Sequence, residues 1–249
     1  MALWGRLRET GAAGHPAGPS LFGSIAPSDC TRILRKHGIF TGLQLPVETV
    51  DDILRHAHAA DCLRHAEDTE RFRISEVENG LTPGGRPVTI ADVSGISCAG
   101  VDRITHDPIL IEIVRSYLGY KPKRVARRLY WSPVSELPDD IRRNSGQTID
   151  YHYDIEPRNS LYAYFYITGA DRKSGAHVAV RGSHRAKPLP IIWSSAFQPE
   201  ARVLACYGAG SQVTIEGASG FGFLEDPACF HKALPPRQGP RLMLQLRYS

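Results

Sequence analysis

The chain has 249 residues, 42% of them hydrophobic and 22% charged, with a formal net charge of +4. This composition is ordinary for a globular protein with one substantial core, and the mild, evenly mixed charge excludes the dense basic surface of a nucleic-acid-binding protein. The five cysteines are scattered and form no CxxC pair, which excludes a disulfide framework and favours a reduced, cytoplasmic protein. We also expect no association with a membrane, because no stretch approaches the ~20 apolar residues of a membrane span.

The first residues differ in composition from the rest of the chain. Residues 1–20 are rich in Gly, Ala and Pro, which predicts a disordered or loosely packed tail. We expect 21–249 to form a single domain, with a helical part over about 21–120 and a β-rich part over about 121–249.

Three helices are predicted in the helical part. The first follows Pro27 and ends at Gly38, and the second opens at Pro46. The third runs from a capping residue, Asp107, to Gly119. Short polar side chains cap helix starts, and glycine accepts the left-handed conformation that ends them.

Two stretches are predicted to be loops beside a site. Residues 68–101 hold many Gly, Pro and Ser, and 132–148 are polar and rich in turn formers. Long loops of this kind often contact a substrate. A surface insertion without a function explains 68–101 equally well.

Beyond Lys121 the pattern is that of short strands separated by turns. The run 161–168 alternates between an apolar face and a face that carries Tyr162, Tyr164 and Tyr166. Alternation with a period of two is typical of a strand, and two different faces suit a sheet that packs on one side and lines a cavity on the other. The β-rich part is therefore predicted to be an antiparallel sandwich or jelly roll.

His152 and Asp154 are the first candidates for metal ligands. They lie at the end of an extended segment that enters a turn at 156–160, and residues two apart in a strand point to the same face. An imidazole beside a carboxylate supplies two thirds of the ligand set of non-haem Fe(II) enzymes. His231 is the candidate third ligand. The alternatives are a surface pair beside a turn for His152 and Asp154, and a core histidine bonded to backbone for His231.

Arg241 begins the last predicted strand, on its polar face. An arginine directed into a barrel needs an anionic partner, because an unpaired buried guanidinium is costly, and its fork suits a carboxylate. A metal triad with an inward arginine predicts a site that holds an acidic cosubstrate against the metal. A structural pair with Glu225 or Asp226 is the alternative, and Arg247 is the rival for the same role.

Several segments then match one family in order and spacing: 151–154, 175–185, 217–220, 223–226, 230–231 and 240–248. Together they resemble the phytanoyl-CoA dioxygenase (PhyH-like) family of Fe(II)/2-oxoglutarate-dependent oxygenases. The resemblance covers the chain from about residue 30 to its end. Several motifs in the right order are far more specific than any one of them.

The resemblance implies a mainly β fold, a double-stranded β-helix (a cupin-like jelly roll) with the N-terminal helices packed on one sheet. It implies that His152, Asp154 and His231 bind Fe(II), that Arg241 binds the distal carboxylate of 2-oxoglutarate, and that Tyr164 lies against this cosubstrate. The implied reaction uses O2 to hydroxylate a small-molecule substrate and releases succinate and CO2. It requires no catalytic residue beyond the metal ligands.

Two positions depart from the family pattern. Arg181 replaces the proline that usually precedes Gly-Ser-His, and Ala233 stands where a hydroxyl-bearing residue often assists 2-oxoglutarate. His177 and His184 are expected to be structural. Two other functions stay open: a jelly-roll metalloenzyme that is not an oxygenase, such as a hydrolase or isomerase, and a catalytically silent binding module. No motif identifies the substrate or the oligomeric state.

Overall fold

The computed structural model describes residues 9–10, 19–65, 68–155 and 159–249. Its helices are Pro27–His37 (α1), Val47–Ala59 (α2), Ala99–Thr105 (α3), Pro108–Leu118 (α4), Asp139–Asn144 (α5), Leu189–Ile192 (α6) and Glu200–Tyr207 (α7). Its strands are Glu9–Thr10 (β1), Ile39–Gln44 (β2), Cys62–Leu63 (β3), Ala91–Val93 (β4), Val125–Ser132 (β5), Leu161–Tyr166 (β6), His177–Val180 (β7), Gln212–Ile215 (β8), Phe221–Glu225 (β9), His231–Ala233 (β10) and Arg241–Tyr248 (β11). Within these ranges no helix has the length and apolar character needed to cross a membrane.

The strands form two sheets with antiparallel pairing. The larger sheet has the order β2-β9-β6-β11-β5-β4-β3, and β1 also pairs with β5. The smaller sheet has the order β10-β7-β8, and a backbone bridge from His152 to His231 extends it beyond β10. From β5 to β11 the chain passes repeatedly between the two sheets, which is the topology of a jelly roll. The predicted fold class is confirmed.

Strand β6 separates the two halves of the core, as its alternating pattern predicts. Leu161, Ala163 and Phe165 belong to an apolar cluster that also holds Leu34 of α1 and Ile113 of α4. The opposite face of β6 carries three tyrosines that pack between the two sheets: Tyr162, Tyr164 and Tyr166. The helices α1 to α4 therefore cover the outer face of the large sheet, and its inner face is left to line the interior of the jelly roll.

The predicted cap of α4 and the glycine stops of α1 and α4 are confirmed, whereas α1 starts after Ala26 without a side-chain cap. The carboxylate of Asp107 accepts hydrogen bonds from the backbone N–H groups of Ile109 and Leu110, which are unpaired at the start of a helix. Gly38 and Gly119 follow α1 and α4 with φ of 73° and 82°, the left-handed conformation that glycine adopts without strain.

Other elements were not predicted. Helices α3, α6 and α7 are short, and helices of this length depend on tertiary packing more than on their own pattern. The predicted loop 132–148 contains α5. Its Arg142 is fully buried and donates hydrogen bonds to the backbone carbonyls of Leu137 and Ser135 and to the side chain of Gln147. The hydrogen bonds of Arg142 therefore hold the two ends of this segment together.

The N-terminal tail is described at β1, which pairs with Val125 and Ala126 of β5, and at its end, where the hydroxyl of Ser20 donates to the carboxylate of Asp107. Residues 1–8 and 11–18 lie outside the described residues, so for them the disordered tail stays a prediction. Residues 156–158 of the predicted turn at 156–160 also lie outside the described residues.

Candidate metal centre

An isolated backbone bridge brings His152 and His231 together. The N–H of His152 donates to the carbonyl of His231 at 3.0 Å, and the N–H of His231 donates to the carbonyl of His152 at 2.8 Å. The centroids of the two imidazoles are 4.3 Å apart. Two backbone hydrogen bonds thus hold the side chains on the same side of the small sheet.

Asp154 joins these two histidines. Its N–H donates to the carbonyl of Pro227 at 2.9 Å, which places it beside the turn between β9 and β10. Its carboxylate Oδ1 lies 3.9 Å from Nε2 of His152. One ligand atom from each of His152, Asp154 and His231 lies within 4.8 Å of the other two, and the described part of the chain holds no second group of this kind.

Backbone contacts set the tautomer of both histidines. Nδ1 of His152 lies 3.2 Å from the carbonyl of Asp150, and Nδ1 of His231 lies 2.9 Å from the carbonyl of Cys229. A carbonyl only accepts, so Nδ1 is the protonated atom and the lone pair of Nε2 is available to a metal.

Both imidazoles are neutral at neutral pH. Burial and the adjacent His231 lower the pKa of His152 to about 3. Burial likewise lowers the pKa of His231. A metal binds the neutral imidazole, so the protein presents these histidines in the form that coordination requires.

An aromatic ring covers one side of the cluster. Phe197 stacks on His152 with centroids 5.2 Å apart and an interplanar angle of 16°. Its position follows from a backbone bridge between Tyr151 and Gln198. The segment between α6 and α7 therefore lies directly against a candidate ligand.

Two further ionisable side chains lie beside His231. Glu225 of β9 is fully buried, with Oε1 3.9 Å from Nδ1 of His231 and Oε2 2.9 Å from Nε2 of His177. The 2.9 Å contact lacks the alignment of a hydrogen bond. The rings of His177 and His231 stack at 5.3 Å. His177, expected to be structural, thus lies in the site.

Burial favours the neutral forms of both Glu225 and His177. It raises the pKa of Glu225 to about 8. Burial, with the nearby Arg241 second, lowers the pKa of His177 to about 3. Both groups are therefore neutral at pH 7. Strand alternation could have revealed them, because Glu225 shares the inward face of Phe223, and His177 that of Ala179.

Arg241 lies in the interior, and the described residues offer it no counter-ion. It is 2% exposed, and it donates hydrogen bonds to the carbonyl of Gly175 and, at 3.0 Å, to the hydroxyl of Ser132. Its Nε has no hydrogen-bond partner among the residues described. Neither partner is charged, so the alternative of a structural pair with Glu225 or Asp226 is wrong.

The remaining predicted residue, Tyr164, lies between the sheets. Its ring stacks on Phe223 at 4.8 Å and contacts His177 at 5.3 Å. Its hydroxyl accepts a hydrogen bond from Gln245 at 2.9 Å. Arg247, the rival of Arg241, lies with its guanidinium 4.9 Å from the ring centroid of Tyr162.

A cavity of about 610 Å³ adjoins the cluster, with Asp154 in its wall. None of its lining residues comes from 68–101 or 132–148. The two stretches predicted to be loops beside a site do not reach this cavity.

Comparison with known proteins adds a likeness in fold. No family model and no curated protein matches the sequence. The crystal structure of SnoK, a non-heme alpha ketoglutarate dependent carbocyclase from nogalamycin biosynthesis, matches with a TM-score of 0.61 and 14% identity over 93% of this chain and 87% of that one. SnoN, an epimerase from the same biosynthesis, matches with a TM-score of 0.58 and 15% identity over 90% of this chain and 82% of that one.

A third match is HygX from Streptomyces hygroscopicus, with a TM-score of 0.56 and 14% identity over 89% of this chain and 86% of that one. Its crystal structure holds nickel, 2-oxoglutarate and hygromycin B. At these identities the likeness establishes the fold. Membership of the PhyH-like family stays a prediction.

Proposed function

We propose that this protein is an Fe(II)- and 2-oxoglutarate-dependent oxygenase that hydroxylates a small-molecule substrate. One observation carries the proposal. A His-Asp-His cluster and a buried arginine without a counter-ion, Arg241, belong to the same jelly roll. The first is a metal site and the second is a carboxylate site, and an enzyme of this class requires both.

The cluster fits Fe(II). Two neutral imidazoles and one carboxylate are the facial ligand set of non-haem iron enzymes, and they leave further coordination positions for other ligands. His152, Asp154 and His231 would hold the metal, and their backbone contacts would keep each donor aimed at it. When bound, Fe(II) with 2-oxoglutarate supplies O2-dependent oxidation of a C–H bond, with release of succinate and CO2.

Arg241 fits the distal carboxylate of 2-oxoglutarate. A planar guanidinium binds a carboxylate through two parallel hydrogen bonds, and Nε has none of its own. Ser132 lies opposite Arg241 in the pairing of β11 with β5. Its hydroxyl accepts from Arg241 and can donate to a carboxylate, a role that Ala233 cannot fill.

The surroundings are compatible with an anionic cosubstrate. A second carboxylate in the interior would repel 2-oxoglutarate, but burial keeps Glu225 protonated at neutral pH by raising its pKa to about 8. Tyr164 would provide an aromatic wall beside the cosubstrate, with its hydroxyl oriented by Gln245. The protein's part in the reaction is to bind and orient both organic molecules and to keep water away.

Proteins of this fold carry out other reactions as well. SnoN and SnoK are named as an epimerase and a carbocyclase. Hydroxylation is therefore a more specific proposal than dependence on Fe(II) and 2-oxoglutarate. A metalloenzyme of the hydrolase or isomerase type is the competing class, and it would bind the metal without 2-oxoglutarate.

Anaerobic titration of the Fe(II)-loaded protein with 2-oxoglutarate tests the proposal. We expect the weak visible charge-transfer band of the chelate. In Arg241→Lys the band should require at least about tenfold more 2-oxoglutarate, because a lysine cannot make the bidentate contact. The control is Arg103→Lys, which changes an exposed arginine on α3. No band in protein shown to hold iron would refute the oxygenase and favour the competing class.

A further inference from the structure

The cavity beside Asp154 collects basic side chains from separate parts of the chain. Arg35 comes from the last turn of α1, and Arg185 and Lys187 come from the turn after β7. Asp154 lies in the same wall. A ligand in this cavity would therefore lie against Asp154, one of the three candidate metal ligands.

None of these three cations forms an ion pair within the described part of the chain, although Asp226 lies near enough to Lys187 to favour its charge. Arg35 donates to the backbone carbonyl of Ser116 at 3.0 Å. Lys187 donates to two backbone carbonyls, those of Ser183 and Ala228, and its Nζ lies 4.3 Å from the ring centroid of Tyr153.

Arg185 makes no side-chain hydrogen bond or ion pair with any residue that the structure describes. Its guanidinium is exposed and keeps its full set of donors for a ligand. Arg35 has used only one of its own donors. The two guanidinium groups are thus the donors that a ligand can reach.

The other carboxylate in the cavity wall does not compensate this charge by direct pairing. Asp226 accepts a hydrogen bond from the hydroxyl of Tyr117 at 2.5 Å and one from the N–H of Ala228 at 2.8 Å. Both donors are neutral. The charge of Asp154 would be neutralised by a bound divalent metal. Even without a metal, the three cations of the wall outnumber its two carboxylates. The field in the cavity is therefore positive, and a concave wall concentrates such a field.

We propose that this cavity binds an anionic group of the substrate, a phosphate or a carboxylate, with Arg35 and Arg185 in direct contact. Lys187 adds a cation held in place by backbone carbonyls. The inference rests on the proposed function, since it makes the cavity the substrate-binding site of that same metal centre. The substrate is then an acidic small molecule. Its anionic group lies in the cavity, and its reacting part extends past Asp154 to the metal.

Calorimetric titration of the metal-free protein tests this without any requirement for iron. The probes are inorganic pyrophosphate and citrate, which represent the two anionic groups. We expect wild-type protein to bind at least one of them. Arg35→Gln and Arg185→Gln should each lose about tenfold in affinity, and the double variant more, because each removes a charge-assisted hydrogen bond.

Arg103→Gln is the matched control and should bind like wild type, because Arg103 is equally exposed but lies outside the cavity. Tighter binding of pyrophosphate would identify a phosphate, and tighter binding of citrate a carboxylate. No binding to wild type, or equal binding to all variants, would overturn the inference. A charge-transfer band without anion binding would leave the oxygenase intact, and anion binding without the band would refute only the oxygenase.

Discussion

His152 and His231 exchange both of their backbone hydrogen bonds, at 3.0 and 2.8 Å, and their imidazole centroids lie 4.3 Å apart. The edge of a sheet therefore positions two of the three candidate ligands. Asp154 follows two residues later and is held by its own hydrogen bond to Pro227. A site built on sheet backbone is held more tightly than one built on side-chain contacts alone.

Replacing one ligand should abolish tight metal binding. We expect His231→Gln to weaken Co(II) binding by more than about a hundredfold, because loss of an outer partner alone commonly costs ten- to a hundredfold. The measurement is the visible absorption of Co(II) titrated into metal-free protein. His184→Gln is the control, since His184 lies outside the cluster, with Nε2 3.3 Å from the carbonyl of Arg35. Equal affinities in the two variants would contradict the assignment of His231.

Glu225 should make stability depend on pH. Its pKa is raised from 4.5 to about 8 by burial, so the stability associated with its protonated form is complete below pH 4.5 and is lost as the pH rises through 8. As the pH rises from 4.5 to 8, the stability of Glu225→Gln relative to wild type should therefore increase, by at most about 1.4 kcal/mol per pH unit.

Urea unfolding of the metal-free proteins at both ends of that range measures the difference. Glu136→Gln is the control, because Glu136 is exposed and its substitution should give a constant difference. A difference between Glu225→Gln and wild type that does not change with pH would show that Glu225 is ionised throughout.

Arg142 should be essential to the segment around α5. It is fully buried and supplies three hydrogen bonds to neutral acceptors, so Arg142→Met leaves those acceptors unpaired and should cost about 3 kcal/mol. The neighbouring Arg143→Met removes only an exposed ion pair with Asp150 and should cost less than about 1 kcal/mol. Denaturant unfolding compares the two, and similar losses would contradict the anchoring role.

Asp107 should contribute more than an ordinary helix cap. Besides Ile109 and Leu110 it accepts hydrogen bonds from the N–H of Leu21 and the hydroxyl of Ser20. Asp107→Ala should therefore lower the free energy of unfolding by about 2–3 kcal/mol, above the ~1 kcal/mol of a typical cap. Asp140→Ala, at an exposed position in the first turn of α5, should change it by less than about 0.5 kcal/mol. A loss of about 1 kcal/mol in Asp107→Ala would mean that the contacts to the N-terminal segment contribute nothing.

The sequence by itself determined the features that depend on near neighbours. The stop of α1, the cap and stop of α4, the two faces of β6 and the pairing of His152 with Asp154 all follow from spacings of a few residues. Backbone geometry sets these spacings, so a local pattern is enough to predict them.

Only the tertiary structure decided which distant residues meet. The register of β10 against β7 brings His177 to His231, and the course of β9 brings Glu225 to both. The basic cavity likewise joins α1, the turn after β7 and the segment after Asp154. Burial changes the charge of a side chain only once the two sheets have closed over it. The sequence therefore does not reveal that Glu225 is protonated, or that Arg241 has no charged partner among the described residues.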